Sequence, residues 1–111
     1  MKKLFIIIFI IYLIAMLLLA VMPPRETSLP EGTDKVIHAV EFFVLTIILL
    51  KLLSFYDIKN KVLIISIIAI IIAIASELIQ IPIVERDFSF FDLIADTVGI
   101  AGALIWKSLK Q

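Results

Sequence analysis

Cysteine is absent from the chain. That excludes disulfides and a thiol nucleophile, and it leaves the redox compartment without a marker. No serine stands between glycines in the manner of a nucleophile elbow, so hydrolysis of that kind is not expected. No basic stripe runs along any segment, which argues against nucleic acid as a partner. There is no internal repeat, no stretch polar enough for a separate soluble domain, and no low-complexity tract beyond an isoleucine bias. Charge itself is missing over long distances, and Leu4 to Met22 contains none.

What fills those distances is apolar. Hydrophobic residues make up 63% of the 111, and the mean hydropathy is +1.22. Both exceed what a water-soluble domain carries and fit a helical membrane protein, with the bilayer as first partner. The first run, about 4–22, suits a membrane-spanning helix better than the shorter apolar core of a signal peptide. It is expected to be retained, since no small-residue cleavage site precedes Pro23-Pro24. Arg25 to Thr33 reads as a loop rich in Pro, Ser, Thr and Gly, with Thr33 or Asp34 as cap of a second helix over about 36–53. A polar turn from Ser54 to Asn60 leads into a third helix, about 62–81, which Pro82 is expected to halt. A fourth runs over about 91–106. The short connections predict an all-α membrane protein, a four-transmembrane-helix antiparallel bundle forming a single domain over residues 1–111.

The basic residues are unevenly placed. Lys2, Lys3, Lys51, Lys59, Lys61, Lys107 and Lys110 fall at one end of such a bundle, and only Arg25, Lys35 and Arg86 at the other. By the positive-inside rule both termini are cytoplasmic and the protein is a multi-pass protein of the cell membrane. Nine of the ten acids then lie in the outer half, all but Asp57, giving that half a net charge of −6.

The polar residues that interrupt the apolar runs gather at this outer end. Asp34, His38 and Glu41 share one face of the second helix by their i, i+4, i+7 spacing. Glu77 and Gln80 close the third helix, Arg86 sits in the following turn, and Asp92 and Asp96 open the fourth. Asp92, Asp96, Gly99 and Ala103 form one stripe, and Gly99 to Ala103 is a small-xxx-small spacing that lets helices approach closely or a second copy dock. Ile100 lies off that stripe. Ionisable groups at such depth usually have partners and often a task. Asp34, Lys35, His38, Glu41, Glu77, Gln80, Arg86, Asp92 and Asp96 are therefore the candidate ligand-binding residues, lining a pocket that opens outward. An acidic pocket with one Lys and one Arg suits an amine-bearing or zwitterionic ligand.

Each has a plainer reading beside the functional one. His38 and Glu77 are acid/base candidates; His38 can equally bond Asp34 or Glu41 within its own helix. Glu77 can be structural, with Arg86 bridging it to Asp92, and Asp92 can be only a helix cap. No metal-ligand spacing is present, because H-x-x-E on one helix is not the E-x-x-H of di-iron bundles. No metal site and no cofactor is expected, although one His among carboxylates would suit a hard cation better than zinc.

The segments D-K-V-I-H-A-V-E-F-F, S-E-L-I-Q and E-R-D-F-S-F-F-D-L-I-A-D-T-V-G, in that order, resemble the VanZ-like family of small membrane proteins. The resemblance covers roughly Asp34 to Ala103. Its matching positions are Asp34, Lys35, His38, Glu77, Gln80, Arg86, Asp92 and Gly99, and Asp96 departs from it where the family usually has asparagine. The family's namesake is associated with low-level resistance to the glycopeptide teicoplanin by an unknown mechanism. The resemblance therefore implies a cell-envelope protein that binds a lipid-linked or peptide-like envelope molecule. Two other classes compete: a membrane-embedded enzyme acting on a lipid headgroup or envelope precursor, and a structural partner of another membrane protein. A homo-oligomer through the Gly99–Ala103 face is a further expectation.

Overall fold

The structure is a computed structural model that describes residues 2–20, 33–83 and 90–110. Among the described residues all of the regular structure is helical: α1 (Lys2–Ala20), α2 (Thr33–Leu53), α3 (Lys61–Ile83) and α4 (Phe90–Lys110). Each element starts and stops where the chemistry changes. α2 gives way to the Ser54–Asn60 turn. Ser54 N donates to Leu50 O and Lys51 O there, and Asn60 takes a left-handed φ of 58° that reverses the chain. Asn accepts that conformation more readily than most residues. Its carbonyl then receives the first bond of α3, from Ile64 N at 3.1 Å.

Several boundaries differ from the sequence expectation: α1 begins at Lys2 rather than about 4, and α2 at Thr33 rather than about 36. α3 continues through Pro82 to Ile83 rather than stopping at Ile81. Proline removes one donor from the ladder, but so near the helix end few bonds remain to be lost. α4 runs on past Trp106 to Lys110. Lys107 and Lys110 in its last turn oppose the negative end of the helix dipole, and Lys110 Nζ lies 4.3 Å from the centre of the Trp106 ring.

α2 is the central helix. It packs against α1, α3 and, most extensively, α4, whereas α1 and α4 do not meet among the described residues. Lys35 reaches Asp92, Ala39 abuts Gly99 and Phe43 lies against Gly102 and Trp106, so α2 and α4 run parallel. Consecutive helices are antiparallel, as expected; the closest pair is the non-consecutive one. Its closeness has a local cause. A Cβ at Gly99 would stand 2.1 Å from the Ala39 carbonyl oxygen, so the two backbones touch there. The buried face of α4 is Asp92, Asp96, Gly99, Ile100 and Ala103. The small-residue stripe thus faces inward. Ile100, expected to lie off it, is 3% exposed and belongs to the core. The Gly99–Ala103 face is covered by α2 of the same chain and is not open to a second copy.

The core itself is thin. Met16, Phe42, Leu45, Leu49, Ile65, Ala69, Ala73 and Ile100 form its buried cluster. Large apolar side chains point outward on all four helices, among them Ile11, Leu18, Val40, Ile71, Phe91 and Val98. Meanwhile Thr46, Ser76, Glu77, Asp92 and Asp96 are buried. A chain with apolar surface and polar interior is arranged for an apolar solvent. α1, α2 and α3 contain stretches long and apolar enough to cross a membrane, Lys2–Leu19, Lys35–Leu53 and Lys61–Ile79. The molecule is 44 Å along its longest axis, against a hydrocarbon thickness of about 30 Å.

Candidate functional site

The buried hydroxyls do not join helices. Thr46 Oγ1 donates to Phe42 O at 2.7 Å and Ser76 Oγ to Ala73 O at 2.8 Å, each within its own helix. Tyr12 is different: its hydroxyl donates to the Glu41 carbonyl at 2.7 Å and ties α1 to α2. The other described side-chain hydrogen bonds and ion pairs between helices lie at one end, where α2 and α4 begin and α3 finishes.

α2 contributes Lys35 and His38, one turn apart on the face toward α4. α4 contributes Asp92 and Asp96, also about one turn apart, and both are 0% exposed. The parallel, touching backbones set these two pairs in register. Lys35 Nζ forms an ion pair with Asp92 Oδ1. His38 Nδ1 lies 3.0 Å from Asp96 Oδ1, and its Nε2 lies 3.7 Å from Asp92 Oδ2. An ionised carboxylate can only accept, so with Asp96 ionised the imidazole donates from Nδ1. α3 adds Glu77, 1% exposed. One donor atom each from His38, Glu77 and Asp96 falls within 4.8 Å of the other two. Glu41 is half-buried on α2 and makes no side-chain hydrogen bond among the described residues.

Lys35, His38, Glu77, Asp92 and Asp96 therefore converge from three helices. Of the two partners expected for His38 within its own helix, Glu41 is not the one described: His38 meets Asp96 of α4, because the α2–α4 contact brings that carboxylate to it. Asp92 sits in the first turn of α4, where a carboxylate suits the helix dipole, yet it is also the counter-ion of Lys35. The side chains of Asp34 and Gln80, and all of Arg86, lie outside the described residues, and so does the expected Arg86 bridge.

The sequence gathers His38, Glu77 and Asp96 at one end among nine candidates but does not single out this trio. Residues 38, 77 and 96 are far apart in the chain and belong to no spacing motif. Their meeting depends on which helices touch. The signal that could have found it is Gly99: a glycine placed to admit α2 would have set Asp96 beside the turn of α2 that carries His38.

A shallow apolar depression on the outer side of α4, lined by Phe90, Leu93, Ile94, Thr97 and Val98, is separate from this cluster. Comparison of the chain with protein-family models, with curated proteins and with solved structures finds no match in any of the three.

Proposed function

We propose that this is a four-span membrane protein of the VanZ-like type, with both termini cytoplasmic, whose outward end binds a lipid-linked or other envelope molecule through a cationic or zwitterionic group. The carrying observation is the burial of three carboxylates, Glu77, Asp92 and Asp96, beside Lys35 and His38 where three helices meet. Among the described residues three carboxylates face one lysine and one imidazole, and that excess of acid in apolar surroundings favours a positively charged group such as an amine. Lys35, 37% exposed at the mouth, suits the anionic part of a zwitterion.

The fourth span rests on α4 itself. Its 21 residues rise about 31 Å, enough to cross. Its carboxylates are turned inward, and Phe90, Phe91, Ile94, Val98, Ile105 and Leu109 are exposed toward what would be lipid. The orientation rests on the lysine asymmetry, and at that basic end Lys2 lies over the Tyr56 ring and Lys51 over Phe5. The link to the envelope and to glycopeptide resistance rests on the family resemblance alone.

A second reading is favoured by one contact. An imidazole held by a buried carboxylate, as His38 is by Asp96, is the arrangement of a general base with its orienting partner. Lipid extracts of cells carrying the protein and its Glu77→Gln variant, together with lipids retained on the purified proteins, separate the possibilities by mass spectrometry. A lipid retained by the parent, lost by the variant and chemically unchanged in cells supports binding. An altered envelope lipid supports the enzyme. No difference in either sample would reduce the cluster to a structural lock.

A further inference from the structure

Asp96 carries the observation that hydrogen bonding and ion pairing leave over. The residue is fully buried; Oδ1 meets His38, whereas Oδ2 is sealed from solvent and accepts no hydrogen bond from any described residue. A buried carboxylate oxygen without a donor is expensive, and native structures rarely leave one without a reason such as an absent ion. Around it the donor set is already assembled: an imidazole from α2, a carboxylate from α3 and a carboxylate from α4, mutually within 4.8 Å.

We infer that His38, Glu77 and Asp96 form a binding site for one divalent transition-metal ion. The distances fit. Ligand atoms about 2.1 Å from an ion and at right angles to each other stand about 3.0 Å apart, and opposite ligands about 4.2 Å. The His38 Nδ1 to Asp96 Oδ1 separation of 3.0 Å is such an edge, with the ion taking the place of the Nδ1 proton, which is released. The outer limit of 4.8 Å exceeds that span, so binding would draw the ligands slightly together. One nitrogen and two carboxylates make an oxygen-rich donor set, suited to Mn2+ more than to Zn2+ or a thiolate-seeking ion. Asp92, 3.7 Å from His38 Nε2 and held by Lys35, lies just outside and orients the imidazole. Because the ligands come from α2, α3 and α4, the ion would also fasten three helices at their outer ends. The inference does not depend on the lipid reading above.

The test uses the full chain, purified in detergent without a polyhistidine tag, stripped with EDTA and titrated with Mn2+. The expected result is loss of the free-ion electron paramagnetic resonance signal up to one equivalent, with a rise in melting temperature that EDTA reverses. His38→Gln and Asp96→Asn should each weaken binding by at least about tenfold, while Asp57→Asn, in the turn at the opposite end, should not. The chain has a single histidine. A coupling from an imidazole nitrogen in pulsed spectra of the Mn2+-loaded parent protein therefore identifies His38 without any substitution, even where a variant fails to fold. Absence of stoichiometric binding, absence of that nitrogen coupling, or unchanged affinity in both folded variants would overturn the inference.

Discussion

The carbonyl oxygen of Ala39 stands 2.1 Å from the point where a side chain at Gly99 would begin. No rotamer relieves such a clash, because the obstacle is backbone. Gly99→Ala should force α2 and α4 apart and lower stability in detergent by about 1–3 kcal/mol, the usual range for overpacking; Gly99→Leu should lose more. Gly102 provides the contrast. A Cβ there meets only the Phe43 ring edge at 3.6 Å, an ordinary contact. Gly102→Ala should be neutral, or stabilising by up to about 1 kcal/mol from helix propensity. Equal melting temperatures for the two alanine variants would mean that the helices do not meet as described.

The His38–Asp96 contact predicts a coupling between α2 and α4. Each single change, His38→Gln or Asp96→Asn, leaves the other group buried with a poorer partner. The double variant should therefore lose less stability than the sum of the two, by about 0.5–3 kcal/mol, in metal-free detergent solution. Strict additivity in a melting series would separate the residues.

Much of this was legible in the sequence, and the remainder shares one cause. The four helices follow from runs without charge bounded by Pro, Gly and Lys, and the polar end follows from where the acids fall. The pairing of helices does not. In a chain whose surface is as apolar as its core, hydrophobicity ceases to report the buried side. Ile100 and Val98 look alike in sequence, yet the first is buried and the second faces outward. α1 shows the same: almost uniformly apolar, it buries Met16 and exposes Ile7, Ile11, Ile14 and Leu18. Small residues and charges carried the information that hydropathy lacked. The stripe from Asp92 to Ala103 was right because a carboxylate or a glycine has a stronger reason than isoleucine to face inward. Spacing along one helix cannot register a neighbour, so the sequence offers His38 only partners on α2 and not Asp96 of α4.

Lys35 and Asp92 form an unequal pair, the lysine 37% exposed and the carboxylate 0%. Lys35→Met weakens the compensation of a buried charge, so it should destabilise. Solvent at the lysine screens the interaction, which holds the expected loss to about 1–3 kcal/mol, below that of a fully buried pair. Lys35→Arg should recover part of it. Thermal melts of the two variants in detergent would show methionine below arginine; the reverse order would mean that the ion pair contributes nothing.

The topology can be tested with three single cysteines, and the chain's own lack of cysteine removes all background. Asp57 is exposed in the turn between α2 and α3, and Ser108 is exposed near the end of α4. Ser28 belongs by sequence to the connection between the first two helices. If lysine placement sets the orientation, Asp57 and Ser108 lie on the cytoplasmic side and Ser28 outside. An impermeant thiol reagent on intact cells should then label Ser28→Cys alone, and permeabilised cells should label all three. Ser108 carries the further question of the fourth span. α4 lacks the uniform apolarity of the other helices, because two of its positions are carboxylates paired with α2. Labelling of Ser108→Cys together with Ser28→Cys on intact cells would leave α4 on the outer surface and reduce the protein to three spans. Labelling of Asp57→Cys, with Ser108→Cys if α4 spans, and not of Ser28→Cys would place the polar cluster on the cytoplasmic side and remove the envelope-facing reading with it.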